Sequence, residues 1–123
     1  MGWMKKPAST GWLDVSALLV NGWAGKAYLA RRETVVMLRL HALAATSATS
    51  GGVITLPTGF RPVSIGSSTE RPLLHTTAPA IRRAYFAGAT LTVSAYQAAD
   101  QLYGDIRFDT ADAWPSSYPE VSV

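Results

Sequence analysis

For a catalytic or metal centre this chain offers two histidines and eight acidic residues, with no cysteine at all, which limits the options. A reaction centre needs a nucleophile beside a base, two carboxylates facing across a cleft, or a cluster of metal ligands. His41 and His75 fall in separate segments, without the i, i+4 spacing that sets two imidazoles on one helix face around zinc. Each is expected to pack in the domain or at an interface, with pH sensing as the alternative use. Asp105, Asp109 and Asp112 lie close in sequence, but their spacing does not wrap alternate oxygens around a calcium ion. They are also the best carboxylates for glycoside hydrolysis, which needs two facing across the bond to be cut. Ser50-Gly51-Gly52 lacks the lysine and the following helix of a phosphate-binding loop. Without cysteine there are no disulfides, thiolate nucleophiles or thiolate zinc sites. The expectation is a protein that is not an enzyme and has no catalytic residues, no cofactor and no metal.

Binding chemistry is better represented. The net charge of +3 and pI near 9.5 include the pairs Lys5/Lys6, Arg31/Arg32 and Arg82/Arg83. Neighbours in a strand point to opposite faces, so each pair gives only one charge to a given surface. Solvated or intersubunit arginines are expected, and no nucleic acid. Trp12, Trp23, Trp114 and Tyr118 have the amphipathic rings that stack on sugars, although core or interface packing is their commoner use. The longest apolar stretch, residues 35–45, is interrupted by Arg39 and His41. It is far short of the ~20 residues that span a bilayer, so no membrane insertion is expected. Lys5 and Lys6 are followed by Pro7, Ser9, Thr10 and Gly11 instead of an apolar core, which predicts no signal peptide.

These side chains must be positioned by one domain, the capacity of 123 residues. A hydrophobic content of 48% with 15% charged residues describes a folded chain whose surface is partly covered by partner subunits. Residues 1–11 read as an extended arm and residues 12–123 as a single domain with a Pro-rich tail. Alternation places Leu13, Val15, Ala17 and Leu19 on one face of a first strand, and Asn21-Gly22 supplies a tight turn. Residues 26–32 return into the longest strand, 34–43, with Val36, Leu38, Leu40 and Ala42 inward and Val35, Met37, Arg39, His41 and Leu43 outward. A helix from Met37 to Ala45 is the competing reading there. Further strands are expected at 53–56, stopped by Pro57, and at 63–65 and 73–77. A hairpin, 81–86 with 89–96, turns at Ala87-Gly88, with Leu91, Val93 and Ala95 inward. Residues 97–104 form a connection, and 105–110 is a last strand with Ile106 and Phe108 inward. Short strands at this spacing predict an all-β fold, an antiparallel β-sandwich or jelly roll.

Several segments form a familiar set. These are Gly11-Trp12 with Leu13-Asp14-Val15, then Asn21-Gly22-Trp23 and Tyr28, and the turn Leu56-Pro57-Thr58-Gly59-Phe60-Arg61-Pro62. The ending Asp112-Ala113-Trp114-Pro115-Ser116-Ser117-Tyr118-Pro119 completes it. Over residues 11–119 the combination resembles the small β-sandwich domain that closes many minor tail or tail-fibre proteins of tailed bacteriophages, particularly those infecting actinobacteria. The resemblance implies a non-enzymatic virion protein, a homotrimer around a three-fold axis that displays loops toward host-surface glycans. Its structural anchors would be Trp12, Trp23, Pro57, Gly59, Phe60, Arg61, Pro62 and Trp114. Trp3, Lys5 and Lys6 in the arm would attach to other virion proteins. Thr46, Ser50, Ser67, Glu70, Gln97, Asp100 and Tyr103 would mark the ligand-contact loops. A capsid decoration protein of the same fold is the alternative, and a carbohydrate-active enzyme or a free carbohydrate-binding module the more distant one.

Overall fold

The computed structural model describes residues 8–45, 52–63, 69–76, 81–93 and 101–118. The chain is all-β and antiparallel, with one 3-10 turn at Ser16–Leu18 as the helical content among these residues. Eight strands run in chain order: β1 (Leu13–Asp14), β2 (Trp23–Arg32), β3 (Val35–Ala45), β4 (Gly52–Thr55), β5 (Thr69–Thr76), β6 (Ile81–Ala87), β7 (Thr90–Val93) and β8 (Leu102–Asp109). They hydrogen-bond in the order β1-β2-β3-β8-β5-β6-β7-β4. Within that order β3 pairs with β8, β4 with β7 and β5 with β6, so three pairs nest inside one another.

The sheet returns on itself. Leu19, just past β1, bridges Ile54 of β4, and the Val20 N–H donates to the Val53 carbonyl at 2.9 Å. This covers part of an edge that would otherwise present unpaired backbone. The core lies inside the wrap and includes Leu13, Leu29, Val36, Leu38, Leu40, Ile54, Phe60, Leu91, Leu102 and Ile106. Phe86 of β6 and Phe108 of β8 are not on neighbouring strands, yet their rings meet edge-to-face at 5.0 Å.

Local chemistry explains where strands begin and end. Asn21 and Gly22 both have positive φ, 56° and 79°, and the Trp23 N–H closes the turn on the Val20 carbonyl at 3.1 Å. This is the conformation expected of Asn-Gly. The first strand, by contrast, is only two residues long. The Asp14 carboxylate accepts the Ser16 N–H at 2.9 Å, and such local bonds draw the backbone out of a ladder. The 3-10 turn follows, and Ala17 is exposed instead of inward.

The competing helix over 37–45 does not form, because β3 is a strand of 11 residues, the longest among the described residues. Its inward set is nevertheless not the one alternation predicts. Val36, Leu38 and Leu40 are buried, and then Leu43 and Ala45 are, while Ala42 is only half-buried. The register with β8 shifts between Leu40 and Leu43, and that with β2 shifts between Ala24 and Lys26. Ala42 has φ 51° and Gly25, opposite it, φ 125°. The extra residue of a bulge reverses which side chains point inward.

Four other boundaries move. Gly52 opens β4 instead of ending a loop, and β5 begins at Thr69. The β6–β7 turn is Gly88-Ala89, and β8 begins at Leu102, so its first residues come from the expected connection. Val63 lies outside any strand, with its N–H on the Asp109 carbonyl at 3.0 Å. Ala8 to Thr10, in the segment read as an extended arm, are hydrogen-bonded along the end of β2 and its turn. Ser9 bridges Arg32, the Thr10 N–H donates to the Arg31 carbonyl, and the Glu33 N–H donates to the Ala8 carbonyl, the last two at 2.9 Å. No helix among the described residues is long and apolar enough to cross a membrane.

Candidate functional site

Two constructions concentrate the polar side chains. The first is a clasp around Arg31, which sits on the inward face of β2 with Ala27 and Leu29 and is 5% exposed. Among the described residues, the acceptors of its guanidinium are four backbone carbonyls. Nε reaches the Glu33 oxygen at 2.7 Å, one terminal nitrogen the Gly59 and Ala113 oxygens at 2.7 and 3.0 Å, and the other the Asp112 oxygen at 2.9 Å. The Trp114 ring lies 5.0 Å from the guanidinium carbon. The expectation of a solvated or intersubunit arginine is therefore corrected for Arg31, while Arg32, one residue on, is exposed.

Beside Arg31 the Asp112 carboxylate gathers four donors from the 56–62 turn. One oxygen accepts the Gly59 N–H at 2.9 Å, the Arg61 N–H at 3.1 Å and Arg61 Nε at 3.0 Å. The other accepts Arg61 Nη2 at 2.9 Å. The Arg61 guanidinium holds the Asp112 carboxyl down at about 2, helped by the two backbone N–H groups and opposed by partial burial. A carboxylate whose pKa is lower folded than unfolded stabilises the fold above its unfolded value of 3.8, and that contribution is lost as pH falls toward 2. Asp112→Asn should remove about 2 kcal/mol at neutral pH. It should also flatten the acid limb of a plot of melting temperature against pH between 4 and 2, measured by circular dichroism.

The second construction is the outward face of β2, β3 and β8. Register aligns Tyr28 with Arg39 and Asp105, Ala30 with Met37 and Arg107, and Arg32 with Val35 and Asp109. Arg39 grips Asp105 with two hydrogen bonds, at 2.9 and 3.1 Å, and its guanidinium lies 4.6 Å from the centre of the Trp12 ring. Both partners of that ion pair are about half exposed, 48% and 46%. Arg39→Gln should therefore lower stability by less than about 1 kcal/mol in thermal melts, since exposed pairs contribute little. Trp12 also walls a groove of about 700 Å³ whose lining includes Ala30, Arg32, Glu33, Val35, Met37 and Arg107.

The residues expected as anchors differ in burial. Trp23 and Phe60 are buried, and Gly59 has φ 103° with Pro115 packed where a side chain would stand. Pro57 and Pro62 flank that turn half-buried, and Trp114 is 38% exposed, lying on Arg31. Of the ligand-loop residues, Glu70 lies within β5 and Tyr103 within β8, not in loops, because both strands begin earlier than alternation suggests. Thr46, Ser50, Ser67, Gln97 and Asp100 lie outside the described residues, as do Trp3, Lys5 and Lys6. His41 is exposed and its ring meets Tyr103 edge-on at 5.0 Å. His75 falls in β5. Asp105 and Asp112 are committed to different arginines, and no group of three or more metal-ligating side chains occurs among the described residues.

Sequence reasoning missed the roles of Arg31, Asp112, Arg39 and Arg107. A signal for Arg31 existed, since it shares parity with Ala27 and Leu29 on a strand whose inward face is otherwise apolar. No protein-family model, curated protein or solved structure matches this chain.

Proposed function

We propose that this protein is a structural component of a tailed-bacteriophage virion, of the tail-fibre or tail-tip type, which acts as a trimer and attaches to glycans of the host surface. The observation that carries the reading is where the segments behind the resemblance meet. The 56–62 turn and the 112–115 stretch close on each other through Arg31, Arg61 and Asp112. The Asn21-Gly22 turn is tied to β4 by the Asn21 side-chain amide, which donates to the Gly52 carbonyl at 2.8 Å. Each of these segments is thus held by hydrogen bonds to residues distant in sequence, which supports the anchoring role.

The strand pairing supports the finer description of the fold. Among the described residues β5 and β8 share the two pairs His75–Tyr103 and Thr76–Leu102, which divides the sheet into β1-β2-β3-β8 and β5-β6-β7-β4, as two layers of a sandwich would be divided. The nested pairs are those of a long hairpin rolled around a core, the construction of a jelly roll.

Light scattering across concentration tests the assembly: a stable mass of three times 13.1 kDa is expected, and a persistent monomer would refute the trimer. Co-sedimentation with actinobacterial cell envelopes tests attachment, and absence of binding by the trimer would refute it. Cryo-EM of particles carrying a tagged copy distinguishes the tail from the capsid surface.

A further inference from the structure

We propose that the groove beside Trp12 binds an acidic saccharide, a sugar ring bearing a carboxylate or phosphate, with Trp12 and Met37 against the ring and Arg32 and Arg107 on the anionic group. The proposal deepens the attachment reading and rests on it for the biological setting. The groove's volume of about 700 Å³ falls within the range of small-molecule sites, roughly 300–1,000 Å³. Its floor is apolar, with Ala30 and Met37 in register and Val35 beside them. Arg107 stands across Met37 from Ala30, two strand spacings or about 10 Å away, which leaves space for a ring between the walls.

The aromatic wall is fixed before any ligand arrives. Arg39 lies against the Trp12 ring and is itself held by both oxygens of Asp105. A ring so restrained loses little freedom when a sugar stacks on it.

Charge selects the anionic class. Arg39 and Arg61 are paired with carboxylates, and Arg31 is committed to carbonyls. Arg32 and Arg107 are exposed and form no ion pair among the described residues. Glu33 is the acidic group in the lining, and Asp109 lies beyond Val35 on the same face. Two guanidiniums against one carboxylate leave the groove cationic, and Glu33 can accept a sugar hydroxyl. The strands beneath, β2 and β3, are hydrogen-bonded on both sides, so the floor offers no free backbone to an extended peptide. Recognition must come from side chains, which suits a ligand that carries its own ring, hydroxyls and charge.

The test is titration of the full chain, followed by heteronuclear NMR, with three probes: hyaluronan tetrasaccharide, neutral chitotetraose and inorganic phosphate. The uronate-bearing tetrasaccharide should shift the Trp12 indole N–H and the amides of Ala30, Arg32 and Met37, with chitotetraose and phosphate binding more weakly. Arg32→Gln and Arg107→Gln should each weaken its binding roughly tenfold, the loss expected for a charge-assisted hydrogen bond. Lys26→Gln, exposed on β2 but outside the groove, should leave it unchanged. Equal affinity for the two tetrasaccharides would overturn the assignment. So would phosphate binding as tightly as the sugar, shifts that avoid the groove, or groove signals that respond only to protein concentration, the mark of a second copy seated there. The two readings fail separately. If the trimer sediments with envelopes and the double variant Arg32→Gln/Arg107→Gln does so equally well, the groove is wrong and attachment stands. If the tetrasaccharide binds but envelopes do not, attachment is wrong and the groove stands.

Discussion

Replacing Arg31 with methionine should cost about 3–5 kcal/mol of folding free energy, a large part of the roughly 5–15 kcal/mol available to a domain of this kind. Methionine keeps much of the apolar stem but makes none of the four hydrogen bonds to the carbonyls of Glu33, Gly59, Asp112 and Ala113. A buried acceptor deprived of its donor costs about 1–3 kcal/mol, less wherever water can enter. Urea denaturation should show the loss as a lower midpoint. Hydrogen exchange should show it as early opening of residues 110–118 and the 56–62 turn while β3 and β8 stay protected. Arg31→Lys should recover only a fraction, because a single ammonium cannot span acceptors arranged around a planar fork. If Arg31→Met melts within about 1 kcal/mol of the parent, the clasp does not hold the tail.

Gly25→Ala is the second large effect, and it arises from shape alone. At φ 125° an L side chain is strained, and a β-carbon there would stand 2.5 Å from the Ala42 carbonyl oxygen and 2.9 Å from its carbon. Both obstacles are backbone within the β2–β3 ladder, so neither can swing aside. Strain of this backbone type costs about 1–3 kcal/mol and forced overpacking a similar amount, which gives about 3 kcal/mol or more in total. Gly88→Ala is the control. Gly88 has φ 63° but open space around it, so its cost should be the conformational one alone, about 1 kcal/mol. Equal melting temperatures for the two variants would refute the steric argument.

Fold class was legible in the sequence because alternation of period two survives in β2, in the first half of β3 and in the second half of β8. Val36, Leu38 and Leu40, and Ile106 with Phe108, are inward where the pattern puts them, and Ala27 and Leu29 of β2 follow the same alternation. The pattern failed where backbone chemistry interrupts it. The bulge at Gly25 and Ala42 exchanges the two faces of β3, and nothing in a Leu-Ala run announces it. Asp14 and Ser16 end β1 early by bonding to each other, a signal present in the residue types but outweighed by the apolar spacing. The clasp was half legible. The 56–62 turn and the tail were read as anchors, whereas their union depends on a long-range pairing of Arg61 with Asp112 that local pattern cannot contain. The groove was less legible still, because it joins Trp12, Met37 and Arg107 from three separate segments through strand register.

The clasp also determines how the domain bears mechanical load. The Glu33 N–H binds Ala8 near the start of the described chain, and Thr110, where the tail leaves β8, donates its N–H to the Thr34 carbonyl at 2.9 Å. The leading segment and the tail are thus moored at one pole, on the two-residue β2–β3 turn, with Arg31 tying the tail just beyond. Traction between those two segments falls first on this mooring, whose hydrogen bonds must part before the long ladder of β2, β3 and β8 is pulled. A force spectrum should therefore show a small early rupture ahead of the main unfolding peak, at a lower force in Arg31→Met, which keeps the backbone bonds but loses the guanidinium's hold on the tail.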